Sequence, residues 1–207
     1  MHRIGKTTIA VAGALVAAVG FSAGPAAAAG TWTVTPGGAW TAKATSPVLT
    51  DNSTGTQLNC SSSSAAGTLQ SGSGLSGTGI SSITSVTWAS CTGPIGITFS
   101  VTSQGTPWAL NAVSYNATTG VTTGTITGVK AHISGAGCTA DFGGATAGST
   151  ATLNATYTNS TRSLAISGGN LHAYNVSGSC LGLLNSGDSA TYTAKYVLGS
   201  AQTITSP

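Results

Sequence analysis

From Trp32 onward, apolar residues recur at every second position rather than every third or fourth. Ile95, Ile97, Phe99 and Val101 alternate with Gly, Thr and Ser. Ala151, Leu153, Ala155 and Tyr157 keep the same beat, as do Ala190, Tyr192, Ala194, Tyr196 and Leu198. A period of two turns one face of an extended chain toward a core and the other toward solvent. The outward positions are mostly Thr and Ser, and the β-branch of Thr suits an extended backbone. Glutamate is absent and Lys and Arg are few, so the usual residues of a solvent-facing helix are missing. Turn residues such as Pro36-Gly37-Gly38, Asn159-Ser160-Thr161 and Gly168-Gly169-Asn170 punctuate the pattern. The reading is all-β: an antiparallel β-sandwich or barrel of about ten short strands. The beat slips between Ile126 and Val129, which predicts a bulge at Gly128. Ser61 to Gly79, rich in Ser and Gly, reads as a long mobile surface loop tethered at Cys60.

The first 29 residues have the form of a cleavable signal peptide. Arg3 and Lys6 precede an apolar stretch from Ile9 to Val19, and Ala27-Ala28-Ala29 offers a small-residue cleavage site. Residues 30–207 then form one β-domain, with hints of two similar halves and no transmembrane segment. Export makes the four cysteines, Cys60, Cys91, Cys138 and Cys180, candidates for two disulfides with three connectivities. Sequential pairing, Cys60–Cys91 and Cys138–Cys180, is favoured over the other two. No Cys-x-x-Cys pair and no His beside a Cys supports a metal site, and no cofactor motif is present.

Charged residues make up only 4% of the chain, against ~25% in ordinary soluble domains. After the signal peptide, Lys43, Lys130, Arg162 and Lys195 face Asp51, Asp141 and Asp188. Binding a phosphate backbone needs clustered Lys and Arg, so nucleic acid is not an expected partner. Catalytic constellations are thin. Gly187-Asp188-Ser189 resembles the start of a serine-protease nucleophile segment, but Ala190-Thr191 stand where glycines belong. Asp141 follows His132 by nine residues, which leaves little chain to bring its carboxylate behind the imidazole. Glycoside hydrolysis needs a carboxylate pair, and each of the three aspartates sits in a turn-like setting. Asp51-Asn52-Ser53-Thr54-Gly55 fits an Asx turn better than a calcium loop. His132 and His172 alternate with apolar neighbours and should point outward.

Large side chains are the remaining resource. Trp88 and Tyr196 fall on core-facing beats. Trp108 follows Gly105-Thr106-Pro107 at a strand entrance, where an exposed ring, with Tyr115 as neighbour, would make a flat surface for a sugar. Three segments, Trp32 to Gly38, Asn111 to Tyr115 with Thr122 to Gly128, and Gly169 to Gly178, resemble small exported proteins of actinobacteria. That resemblance implies a bacterial, secreted setting and attaches no activity. The expectation is a non-enzymatic, secreted or cell-envelope-associated structural or binding protein, with self-association favoured by near-zero net charge. A carbohydrate-binding module for cell-wall or environmental polysaccharide is the first alternative. A hydrolase whose Asp/His site assembles only in the fold is the second.

Overall fold

The computed structural model describes residues 31–207, Ala136 apart. The expected signal peptide, residues 1–29, lies outside the described residues. Fifteen strands follow one another with no helix among the described residues beyond a 3-10 turn at Pro94–Gly96. They are β1 (Trp32–Thr35), β2 (Gly38–Thr45), β3 (Val48–Asp51), β4 (Gln57–Leu69), β5 (Gly72–Leu75), β6 (Ser81–Thr92), β7 (Thr98–Gln104) and β8 (Trp108–Asn116). After these come β9 (Val121–Gly135), β10 (Cys138–Gly143), β11 (Ala151–Thr158), β12 (Ser163–Gly169), β13 (Leu171–Gly178), β14 (Ser189–Leu198) and β15 (Thr203–Thr205).

The pairings close on themselves, so the architecture is a barrel. Strands β4, β6, β9 and β14 run long. Between them the chain makes broken strands, β2 with β3, β7 with β8, β10 with β11 and β12 with β13, each pair sharing the same neighbours. Going round, β2/β3 pairs with β4, then come β6, β7/β8, β9, β10/β11, β12/β13 and β14, all antiparallel. Closure comes from β14, which sets Tyr196 opposite Ala44 on β2 and Ala190 opposite Asp51 on β3. Eight strand positions give an interior just wide enough to fill with side chains or to hold one small ligand.

The two-residue beat explains the lining. On β2, Trp40, Ala42 and Ala44 face in, while Thr41, Lys43 and Thr45 face out. A barrel with apolar residues inside and Thr, Ser and Lys outside is the reverse of one carrying a lipid-facing apolar band. No described helix is long and apolar enough to cross a membrane.

Ser61 to Gly79 is not a mobile loop. Most of it belongs to β4, and a further piece forms β5. The small residues that look like a linker are required by what lies across the barrel. A Cβ on Gly67 would come within 2.7 Å of the Trp40 ring, and the Ser63 hydroxyl meets Tyr196 Oη at 2.7 Å. The Gly128 bulge is present: Ala151 pairs with Val129 and Thr152 with Thr127, leaving Gly128 unpaired at φ +84°.

One end of the barrel is plugged. Strands β15, β1 and β5 form a small sheet there, bringing in Trp32, Val34 and Ile204. Buried Gln202 accepts the Gly37 N–H on Oε1 and the Tyr157 hydroxyl on its backbone carbonyl. Both disulfides lie at the other end, paired Cys60–Cys91 and Cys138–Cys180.

Candidate functional site

The unplugged end holds a cavity of about 160 Å³ lined mainly by Leu49, Leu58, Phe99, Ile133, Phe142 and Leu184. A second cavity of about 70 Å³ lies deeper, lined by apolar residues and by Tyr192 and Tyr196. Leu49, Leu58, Ile133 and Phe142 border both, so the two spaces are separated by one layer of side chains.

The rim comes from two irregular segments next to the disulfides. One is the turn Pro94–Gly96, three residues beyond Cys91. The other runs from Ser179 to Leu184, and Cys180 staples it to β10 at Cys138. Each rim segment presents an apolar side chain to solvent from a left-handed backbone: Ile95 at φ +52° and 89% exposed, Leu181 at φ +55° and 64% exposed. Bulky residues, β-branched ones above all, seldom adopt that region, and such geometry concentrates at binding sites.

Asp51 ends β3 at this cavity and is 4% exposed. Its Oδ1 accepts the Ser53 and Thr54 N–H groups at 2.8 and 3.0 Å, the Asx turn expected from the sequence. Its Oδ2 is buried without a partner. Asp188 lies alongside, with its Oδ2 accepting the Asn185 N–H at 2.7 Å. Burial pushes the Asp188 carboxyl upward, but the hydrogen bonds donated by the Asn185 backbone and side-chain amide outweigh it and hold the group below its ordinary value.

Deeper inside, the polar groups form one directed chain. Ser63 donates to the Thr87 carbonyl at 2.8 Å, so its Oγ is left to accept from Tyr196 at 2.7 Å. Tyr196 then accepts from Tyr192 at 2.9 Å, and Tyr192 accepts from Trp88 Nε1 at 2.9 Å. Burial raises both tyrosines above their ordinary values. Trp88 is half-buried and packs edge-on against Tyr192, with ring centroids 6.3 Å apart.

The expected sugar platform is absent. Trp108 is 5% exposed, faces the barrel interior and donates its indole N–H to the Gln104 carbonyl at 3.0 Å. The strand beat that opens at Trp108 turns its ring inward. Tyr115 is half-buried at the far end of β8, seven positions or about 23 Å of extended chain away. Trp32 and Trp40 are buried as well.

A histidine–aspartate pair does assemble, against expectation. The tight β9–β10 hairpin sets Asp141 directly opposite His132, and His132 Nδ1 lies 2.7 Å from Asp141 Oδ1. Nine residues suffice because a hairpin needs only the turn to reverse the chain. Asn175, at φ +51° on a β13 bulge, donates to Asp141 Oδ2 at 2.8 Å. The Asn175 hydrogen bond, then that of His132, holds the Asp141 carboxyl below its ordinary value. Ser189 is not part of this group. It pairs across from His172, and its hydroxyl accepts Asn52 Nδ2 at 3.4 Å. The described residues contain no group of three or more His, Cys, Asp or Glu placed to hold a metal.

Sequence reasoning found the strands that line the cavity but not the cavity, which needs the ring closed by β14. Its one available signal was the crowding of apolar residues around Cys91 and Cys180. Comparison with protein-family models, curated proteins and solved structures finds no match for this chain.

Proposed function

We propose that this is a non-enzymatic binding protein of an extracellular or cell-envelope setting, holding a small apolar ligand in the unplugged end of its barrel. The carrying observation is the 160 Å³ cavity, walled mainly by Leu, Ile and Phe and bordered by Pro94 and Leu181 from the two rim segments. Cavities of about 150 Å³ with such walls stay dry and take up benzene or xenon, whereas drug-sized sites run to roughly 300–1,000 Å³. The ligand's buried part is therefore one ring or a short alkyl segment. Two disulfides are compatible with an oxidising, extracellular compartment and fix the rim in place. Trp108, the ring offered for the polysaccharide reading, faces inward and does not support it.

The test is thermal unfolding with benzene as probe. At a hundredfold excess over Kd, a ligand that binds only the folded state adds about 2.7 kcal/mol, or roughly 5–10 °C in a chain of this size. Leu184→Trp, which fills the cavity from its half-buried wall, should abolish the shift while keeping a native near-UV spectrum. No shift in the wild type, or an equal shift in the filled variant, would contradict the proposal.

A further inference from the structure

We propose that the ligand carries an organic ammonium group, received by Asp51 at the polar end of the cavity; this rests on the apolar-cavity reading above. Asp51 is one of few polar side chains lining that space and among the most buried polar residues described. Its Oδ1 is spent on the Asx turn, and its Oδ2 has neither donor nor solvent. A carboxylate taken out of water without a partner is costly, and it is relieved by a proton or by a cation. The sole ion pair among the described residues is His132–Asp141, so no Lys, Arg or His answers Asp51.

Two features favour an organic cation over a metal ion. Among the described residues, metal-ligating side chains do not gather in threes, and the cavity that Asp51 borders is lined mostly by apolar side chains. Ala190 pairs across from Asp51 and the Asn52 N–H bonds the Ser189 carbonyl, so Asp188 brings a second carboxylate to this end of β3 and raises the local demand for positive charge. An ammonium group offers three donors, enough to meet Asp51 Oδ2 and still turn toward Asp188. The apolar part attached to it then occupies the space between Phe99, Ile133 and Phe142.

Calorimetric titration with three probes of nearly equal size separates the possibilities: benzylamine as its ammonium ion, benzyl alcohol and toluene. The expected result is benzylammonium binding about tenfold or more tightly than either neutral probe. Asp51→Asn keeps the Oδ1 acceptor of the Asx turn while replacing Oδ2 with a donor, and should bring the three probes within about twofold of one another. Toluene or benzyl alcohol binding as tightly as benzylammonium to the wild type would overturn the assignment, because Asp51 would then give a cation no preference. That result leaves the apolar cavity standing, whereas failure of all three probes to bind removes the cavity reading itself. The wild-type comparison decides the matter even where Asp51→Asn does not fold.

Discussion

Tyr196→Phe removes one oxygen from the middle of the barrel and should cost far more than a surface hydroxyl. Tyr196 Oη receives the Tyr192 hydroxyl and donates to Ser63 Oγ, so its loss breaks two bonds in the chain running from Trp88 to Thr87. Each such bond contributes about 1 kcal/mol net, and a buried donor left alone costs about 1–3 kcal/mol. Tyr192 is left as that donor, which puts the total at about 2–4 kcal/mol. Tyr192→Phe breaks the chain nearer its outer end and strands only the indole N–H of half-buried Trp88, for about 1–2 kcal/mol. The double variant no longer contains the orphaned Tyr192 hydroxyl. It should therefore cost less than the sum of the singles by about 1 kcal/mol or more. Urea unfolding with both disulfides intact measures all three, provided the slopes stay constant. Additivity within about 0.3–0.5 kcal/mol, or a Tyr196→Phe cost below about 0.5 kcal/mol, would refute a directed chain.

Three further outcomes follow from the same structure. Trp108→Ala should destabilise by about 3–5 kcal/mol in urea unfolding, and leave retention on insoluble polysaccharide unchanged, because the ring is core. Burial holds Tyr157, Tyr192 and Tyr196 above their ordinary values, so the unfolded chain loses these protons first. Their stabilisation is complete below pH ~10 and falls as pH rises, by up to roughly 1.4 kcal/mol per unit for each. Absorbance at 295 nm should show the ionisation of these three arriving together with unfolding; reversible ionisation of more than two of the five tyrosines in native protein near pH 10 would contradict this. Replacing either cystine pair with alanines should cost roughly 3.5–4 kcal/mol in the chain-entropy account, from loops of 31 and 42 residues. Loss of Cys138–Cys180 should also weaken benzene binding more than loss of Cys60–Cys91, since only Cys180 anchors the Ser179–Leu184 rim.

Much of the fold was written locally and much of the site was not. The beat in β7, β11 and β14 is a property of neighbouring residues, so strands, class and the Gly128 bulge were legible. Ser61 to Leu69 misled because Ser and Gly are ambiguous without a partner: alone they suggest a linker, beneath Trp40 and Tyr196 they are the residues that fit. Trp108 misled for a related reason. Its entrance position was visible, but the inward sense of β8 depends on β6 and β9, which flank it. The Asp141–His132 pair shows that sequence separation limits reach less than topology does, since a hairpin places residues nine apart face to face. Asp51 was read correctly as an Asx turn, yet its second oxygen gained meaning only when β14 brought Asp188 alongside and closed the barrel around it.

The most direct test of the apolar-cavity account is a crystal of the folded protein pressurised with xenon, read by anomalous scattering. The account predicts a strong peak between Leu58, Phe99, Ile133 and Phe142, the walls of the 160 Å³ space. It also predicts that Leu184→Trp crystals lose that peak. A wild-type crystal with no xenon there, or with ordered water hydrogen-bonded through the space, would contradict the account.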